Sequence, residues 1–234
     1  MENNNLVLRI IHLSDLHIQP FRNVLTPLIE PINRETVDIV IVTGDIVHTP
    51  NVESYELATT LLNKIRHRVV VLPGDYEGEL YKEYFGGSER FTSINLNNFC
   101  LDLMDTSFMG HRYSVGWADV LKEEDKKQHE WITTQLKDDN KYHLVFSHHP
   151  FWVTPTAIGD EYATDSLRAI YSGHLHEPLI HYFKYTKPKS VFPQGFACVP
   201  MKFHGNSCYS LIVVKKNGEL ANIPRIINAK KSGW

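Results

Sequence analysis

The sequence predicts an α/β protein with parallel strands, because apolar runs typical of buried strands alternate with helical segments in the first third of the chain. The runs cover residues 6–12, 38–43 and 69–72, and each ends where polar residues begin. Between the second and third runs, residues 55–66 place three leucines and an isoleucine on one helical face. This segment is therefore predicted to be a helix that connects two parallel strands.

An aspartate follows each of these three predicted strands. Asp15, Asp45 and Asp75 stand 30 residues apart each time, which suits one strand, one helix and two loops in consecutive βαβ units. Parallel strands align their carboxyl ends, and ligands of open α/β sheets bind at that edge. The spacing therefore brings three carboxylates toward one crevice. The first connection contains Pro27 and Pro31, so a short, irregular helix is expected there.

The middle of the chain continues the alternation of strands and helices. Residues 91–105 are typical of two strands around an Asn-Asn turn. Residues 123–136 are typical of a charged surface helix with Trp131, Ile132 and Leu136 facing inward. An α/β organisation is thus predicted beyond the first three strands.

Two further strands are predicted at residues 142–147 and 169–172, and both end at histidines. From residue 179 the apolar segments become short, and with the run at residues 209–214 they predict an antiparallel second sheet. Residues 182–203 could supply an exposed edge for a homodimer.

Composition indicates an ordinary globular protein, and a single domain is expected from 234 residues that are 42% hydrophobic and 22% charged. The net charge of -3 gives no general attraction for polyanions, which disfavours nucleic acid as a partner.

The first apolar run reaches Arg9 after three positions, so neither a secretory signal nor a membrane span fits, and a cytoplasmic protein is expected. Cys100, Cys198 and Cys208 lack the close pairing of a zinc knuckle and are expected to be buried free thiols.

Five short blocks of oxygen and imidazole donors end five of the predicted strands. Each alone is ordinary, because an acid at a strand end is usually a helix cap or a turn residue. Together they bring metal-binding side chains to one sheet edge, and the 13 histidines of the chain fit nitrogen and oxygen ligation of a metal. The blocks are Asp15-Leu16-His17, Gly44-Asp45, Gly74-Asp75-Tyr76-Glu77, His148-His149-Pro150 and Gly173-His174-Leu175-His176.

In order and spacing these blocks resemble the motifs of the calcineurin-like metallophosphoesterase superfamily, and the resemblance extends from residue 9 to about residue 214. It implies an α/β fold, a four-layer α/β/β/α sandwich of two mixed β-sheets, as one domain over residues 1–234. It also implies two divalent metal ions, and the ligand types suit Mn, Fe, Zn or Co. The implied ligands are Asp15, His17 and His176 for the first metal, Asp45 as the bridge, and Asp75, His148 and His174 for the second.

Such a centre implies hydrolysis of phosphate esters by a hydroxide that bridges two metals, while the same cations stabilise the charge that builds on the phosphoryl oxygens. The expected partner is a small phosphorylated substrate, a phosphodiester or a nucleotide, whose leaving group needs little acid assistance. A nuclease is disfavoured because the chain lacks a basic groove interleaved with aromatic residues.

The third block departs from the superfamily pattern, which has Asn and His where this chain has Asp75 and Tyr76. In the superfamily that His contacts the phosphate and protonates the leaving oxygen, a role that a free phenol with a pKa of about 10 fills less readily. Tyr76 can still donate a hydrogen bond, and Asp75 could strengthen metal retention or move protons, so both are candidate catalytic residues. Tyr76 and His149 are candidate substrate-binding residues. For His149, as for His48 and His204, a surface or structural role is favoured.

The same departure motivates a second hypothesis from a different class. The chain could be a scaffold or binding protein that keeps the metallophosphoesterase fold but has impaired catalysis. The enzyme is favoured, because the other ligands are intact and unused clusters of acids carry a like-charge cost.

Overall fold

The computed structural model describes residues 6–21, 23–86, 90–107, 118–138, 140–149, 164–176, 180–182, 194–197 and 207–227. These residues form strands and helices that alternate through the first half of the chain, as predicted. In chain order the elements are β1 (Leu6–Leu13), α1 (Thr26–Arg34), β2 (Ile39–Thr43), α2 (Val52–Leu62), β3 (Val69–Leu72), α3 (Tyr81–Phe85), β4 (Phe91–Leu96), β5 (Phe99–Met104), α4 (Ala118–Gln135), β6 (Tyr142–Ser147), β7 (Leu167–Ser172), β8 (Ile180–Tyr182), β9 (Gln194–Ala197), β10 (Ser207–Lys215) and β11 (Leu220–Ile227).

The first sheet has the strand order β11-β10-β1-β2-β3. Strands β1, β2 and β3 are parallel, with Ile10 opposite Ile39 and Val40 opposite Val69. The three predicted strands and their parallel arrangement are therefore confirmed. Strand β10 lies antiparallel to β1, and β11 lies antiparallel to β10.

The second sheet has the order β4-β5-β6-β7-β9-β8. Strands β5, β6, β7 and β9 are parallel, whereas β4 and β8 are antiparallel edge strands. The predicted hairpin at residues 91–105 is confirmed, and Asn97 in its turn has a positive φ of 56°.

The predicted antiparallel second sheet from residue 179 onward is wrong. Strands β8 and β9 extend the second sheet, where β9 runs parallel to β7, and β10 and β11 complete the first sheet. The physical reason is that short apolar segments identify strands but not their partners, which here lie far away in the sequence. Of the proposed dimer edge at residues 182–203, the described residues are Tyr182 and Gln194–Ala197, so dimerisation stays a prediction.

Three apolar cores separate four layers. One core lies between α1, α2 and α3 and the outer face of the first sheet, and another between α4 and the outer face of the second sheet. The two sheets pack face to face over the third, which confirms the α/β/β/α sandwich of two mixed sheets. The buried residues of this central core are Leu8, Ile10, Ile39, Ile41, Leu72, Phe99, Leu101, Leu103, Leu144, Phe146, Ala169, Tyr171, Ile212 and Val214.

The two helices predicted with bounds, at residues 55–66 and 123–136, are present but begin earlier, whereas α3 was not predicted. Helix α2 starts at Val52 because the side chain of Asn51 accepts a hydrogen bond of 2.9 Å from the Ser54 amide, an N-cap that the apolar periodicity does not reveal. Helix α1 is short, as expected, and continues through Pro31. Helix α4 begins at Ala118, five residues before the predicted start.

Candidate metal centre

The five blocks of donors lie directly after the carboxyl ends of β1, β2, β3, β6 and β7. These strands belong to both sheets, and their following loops meet at one edge of the sandwich. Backbone hydrogen bonds join the loops: the Asp15 amide donates to the Gly44 carbonyl at 3.0 Å, and the Gly173 amide donates to the His148 carbonyl at 2.9 Å. The convergence expected from the strand spacing is therefore present.

A first cluster of four donors contains Asp15, His17, Asp45 and His176, whose donor atoms all lie within 4.8 Å of one another. Nε2 of His17 lies 3.1 Å from Nε2 of His176. Nε2 of His176 lies 3.2 Å from Oδ1 of Asp15. Two imidazoles and two carboxylates thus converge on one small volume.

A second cluster contains Asp75, His148, His149 and His174, again with donor atoms within 4.8 Å of one another. Oδ2 of Asp75 lies 3.1 Å from Nδ1 of His174 and 4.0 Å from Nε2 of His148. Oδ1 of Asp75 lies 3.0 Å from Nε2 of His149. His149 is therefore a member of the second cluster, although the sequence favoured a surface or structural role for it.

Asp45 lies between the two clusters. Its Oδ2 is 3.5 Å from Nε2 of His17 in the first cluster, and its Oδ1 is 3.4 Å from Nε2 of His148 in the second. The carboxylate is buried, and Oδ1 also accepts a hydrogen bond of 2.8 Å from the Asp75 amide. One oxygen directed to each cluster is the arrangement that a bridging ligand requires.

Unpartnered buried atoms show that the donor set fits metal ions. Among the described residues, Oδ2 of Asp15 and Nε2 of His148 are buried and have no hydrogen-bond partner, which is costly unless a cation takes that place. The other ring nitrogen of His148 lies 2.8 Å from the Thr43 carbonyl. A carbonyl can only accept, so Nδ1 carries the proton and Nε2 presents its lone pair to the site.

The histidines fall into two electrostatic groups. Burial lowers the pKa of His17 and of His148 to about 4, which keeps both imidazoles neutral and ready to coordinate. Hydrogen bonds to carboxylates, from His174 to Asp75 and from His176 to Asp15, raise the pKa of these two histidines.

Three acids crowd the same site. Burial, together with the negative charges of Asp15 and Asp75, raises the pKa of Asp45 to about 7. Burial also opposes ionisation of Asp75, but the hydrogen bonds from His149 and His174 outweigh it and lower the pKa of that carboxyl. Cations placed among these carboxylates would relieve their mutual repulsion.

The backbone at the site is held in an uncommon conformation. Five of the predicted ligands have a positive φ, which residues with a Cβ adopt at an energetic cost that folded proteins accept mainly at functional sites. The neighbouring Gly44 also has a positive φ of 82°, and a Cβ there would lie 2.6 Å from Nδ1 of His148. The five are Asp15 (54°), His17 (41°), Asp45 (51°), His174 (74°) and His176 (54°).

Glu77 is a site residue to which the sequence assigned no role. Its side chain is 1% exposed and accepts hydrogen bonds from the backbone amides of Asp45 at 3.2 Å, of Ile46 at 2.6 Å and of Gly74. Burial and the charge of Asp45 raise the pKa of Glu77 to about 8. Its place in the third block, next to the candidate ligands, was the available signal.

Tyr76 lies at the rim of the site with 41% of its surface exposed. Its ring stacks on His48 with centroids 5.3 Å apart and meets His17 edge-on at 5.0 Å. His48 is exposed, as expected, and its ring also contacts that of His17, a proposed metal ligand. His149 is buried, with Nδ1 3.1 Å from Oγ1 of Thr106, and His204 lies outside the described residues.

Two linked clusters of carboxylates and imidazoles at the edge of a four-layer sandwich define a protein of the metallophosphoesterase fold class. The family model for calcineurin-like phosphoesterases matches residues 8–178, and the chain belongs to this family. Within the described ranges, no helix combines the length and apolar character needed to cross a membrane.

Comparison with individual proteins identifies one relative by sequence and solved structures with a similar fold. The chain is 29% identical over 128 residues to glycerophosphodiester phosphodiesterase GpdQ of Enterobacter lignolyticus, a match that covers 50% of this chain and 43% of that protein. It therefore spans less than half the length of this curated relative. The 5'-nucleotidase of Candida albicans has a similar fold, with a TM-score of 0.52 and 11% identity over 97% of this chain and 53% of that one. Vps29 of Cryptosporidium parvum gives a TM-score of 0.46 at 12% identity over 96% of this chain and 100% of that one.

Proposed function

We propose that this chain is a metal-dependent phosphoesterase that hydrolyses a small phosphodiester or nucleotide at a dinuclear centre. The observation that carries this proposal is the position of Asp45, whose two carboxylate oxygens face different donor clusters at 3.5 and 3.4 Å. Family membership supports phosphoester hydrolysis in general, and the partial similarity to a glycerophosphodiester phosphodiesterase favours a diester.

In this proposal every member of the predicted constellation is a metal ligand. When two divalent ions of Mn, Fe, Zn or Co are bound, they supply a hydroxide nucleophile at neutral pH and neutralise charge on the phosphoryl oxygens. The proposed ligands are Asp15, His17 and His176 for one ion, Asp45 for both, and Asp75, His148 and His174 for the other.

The remaining residues would position the substrate and the ligands. Tyr76 is an exposed polar side chain at the rim, where its hydroxyl would donate a hydrogen bond to a phosphate and its ring would contact the leaving group. His149 is held between Thr106 and Asp75, which orients its ring toward the second cluster. Asp75 has each oxygen near an imidazole and could pass a proton between the solvent and the site.

The proposed activity is tested with purified protein, manganese and an aryl phosphodiester. Asp45→Asn removes the charge that both clusters share and should lower kcat by at least about a thousandfold, since it disables the common ligand. Asp38→Asn, on the far end of β2 from the site, is the matched control and should keep wild-type turnover. A wild-type protein with no turnover on monoesters or diesters with any common divalent metal would contradict the proposal.

A binding or scaffold function is the second candidate, and Tyr76 in place of the family's usual histidine favours it. The discriminating experiment restores the usual pair with Asp75→Asn and Tyr76→His in one protein. If the present residues impair the site, the double variant should hydrolyse the diester at least about tenfold faster, because a histidine donates a proton near neutral pH. An unchanged or lower rate would show that Asp75 and Tyr76 suit the native reaction.

A further inference from the structure

A third group of metal-binding side chains lies away from the proposed phosphoesterase centre, on the face of the second sheet that is covered by α4. Cys100 and Asp102 alternate with core residues on β5, so both point to the same face. His143 on β6 is the register partner of Cys100. His148, the nearest proposed ligand along β6, follows five residues later, which is roughly 16 Å along an extended strand.

The three side chains converge within a dry interior. Their donor atoms all lie within 4.8 Å of one another. Sγ of Cys100 is 3.3 Å from Oδ1 of Asp102, and Nδ1 of His143 is 2.7 Å from Oδ2 of Asp102. Cys100 is 3%, Asp102 0% and His143 1% exposed. Sulfur, oxygen and nitrogen donors thus form one triangular face.

Further polar groups complete the surroundings. Oγ of Ser93 lies 2.6 Å from Oδ1 of Asp102 and could act as the fourth donor of the group. Gln135 at the end of α4 approaches Ser93, with its Oε1 3.4 Å from Oγ. Among the described residues, Nε2 of His143 is buried and has no hydrogen-bond partner. Nδ1 is the ring nitrogen that faces Asp102, so it is the nitrogen that the cluster presents as a donor, and Nε2 carries the other ring proton.

We propose that Cys100, Asp102 and His143 form a structural site for one thiophilic divalent cation, with Zn²⁺ as the best fit. A thiolate, a carboxylate and a neutral imidazole carry two negative charges, which cancel those of the cation and make its burial inexpensive. Binding displaces the proton of the Cys100 thiol and the proton that His143 shares with Asp102. Because the three proposed ligands are themselves buried, the ion would enter as the chain folds and would link β5 to β6.

Cobalt provides a test that is independent of the phosphoesterase centre. Co²⁺ bound to a thiolate gives a strong near-ultraviolet charge-transfer band, which ligation by carboxylates and imidazoles alone does not give. The full chain is expressed or refolded with Co²⁺, and its spectrum and its metal content per chain are measured. The wild type should show the band. Cys100→Ser should lose it and should bind one metal ion fewer.

Matched variants separate the outcomes. Cys208→Ser and Cys198→Ser should keep both the band and the metal content, and Asp45→Asn should keep the band while losing metal at the proposed catalytic centre. A wild type without a thiolate band, or a band that survives Cys100→Ser, would overturn the proposal and leave a buried ion pair only. The absence of a band from the wild type is decisive without any substitution. If Cys100→Ser does not fold, the protein that combines Cys198→Ser with Cys208→Ser keeps Cys100 as its one cysteine and should still show the band.

Discussion

Glu77 accepts a hydrogen bond from the backbone amide of Asp45, the proposed bridging ligand, with 3.2 Å between Oε2 and the nitrogen. Its Oε1 accepts from Ile46 at 2.6 Å and from Val47 at 3.4 Å, and Gly74 donates to Oε2. One buried carboxylate therefore fixes the loops after β2 and β3 relative to each other. The position of Asp45 between two clusters depends on this arrangement.

Replacing Glu77 by alanine should destabilise the protein and weaken its metal site together. The substitution leaves several buried N–H groups without an acceptor, and at roughly 1–3 kcal/mol for each such group the free energy of unfolding should fall by about 3 kcal/mol or more. Urea unfolding and Mn²⁺ titration measure the two effects. Glu79→Ala is the control, since Glu79 is an exposed acid in the same loop. Equal unfolding curves for the two variants would show that Glu77 does not hold the loops.

The sequence was sufficient for the three parallel strands of the first sheet and for the convergence of the donors, because both follow from local patterns. An apolar run identifies a buried strand, and equal spacing of Asp15, Asp45 and Asp75 identifies parallel units. The role of Glu77 was not readable, since three of its partners, the amides of Asp45, Ile46 and Val47, lie about 30 residues away and no side-chain pattern encodes their positions. The assignment of the predicted ligands to actual metal ions stays a prediction.

Sequence patterns likewise did not predict which strands pair or which side chains meet across neighbouring strands. The run at residues 209–214 is a strand, as predicted, but its place beside β1 results from pairing between segments about 200 residues apart. The group of Cys100, Asp102 and His143 depends in the same way on the register of β5 against β6. Alternation along one strand gives the face of each side chain but not its neighbour on the next strand.

Gly44 and Gly86 allow the steric requirement of the site to be separated from backbone strain. Both have a positive φ, but a Cβ at Gly44 would lie 2.6 Å from Nδ1 of His148, whereas a Cβ at Gly86 would meet no atom of the described residues within 4 Å. Gly86→Ala should therefore cost only the backbone penalty, roughly 1–3 kcal/mol, of a conformation with φ of 70° and ψ of −158° that essentially only glycine adopts. Gly44→Ala should cost more and should also weaken Mn²⁺ binding by displacing His148. Thermal unfolding and metal titration provide the comparison, and similar effects of the two variants would contradict close packing around His148.

Metal affinity should increase with pH. The hydrogen bonds to Asp75 and Asp15 raise the pKa of His174 and His176 above the ordinary value, so in the metal-free protein both keep to higher pH a proton that competes with a cation. Binding of Mn²⁺ should therefore tighten from about pH 6 to about pH 8, with proton release. Calorimetric titrations in buffers of different ionisation enthalpy measure both quantities. An affinity that does not change over this range, with no protons released, would argue against His174 and His176 as ligands.

The buried pair of His143 and Asp102 should make the stability of the metal-free protein depend on pH in the opposite direction. Although burial opposes the charge, hydrogen bonding to Asp102 raises the pKa of His143 from 6.5 to about 9 in the folded protein. The protonated form is favoured by folding, so its contribution is complete below about pH 6.5 and is lost as the pH rises through about 9. With metal chelated, the wild type should therefore lose an advantage over His143→Gln on the order of 3 kcal/mol between these two pH values. Urea unfolding of both proteins across this range measures the difference, and a difference that stays constant would show that His143 is uncharged in the fold.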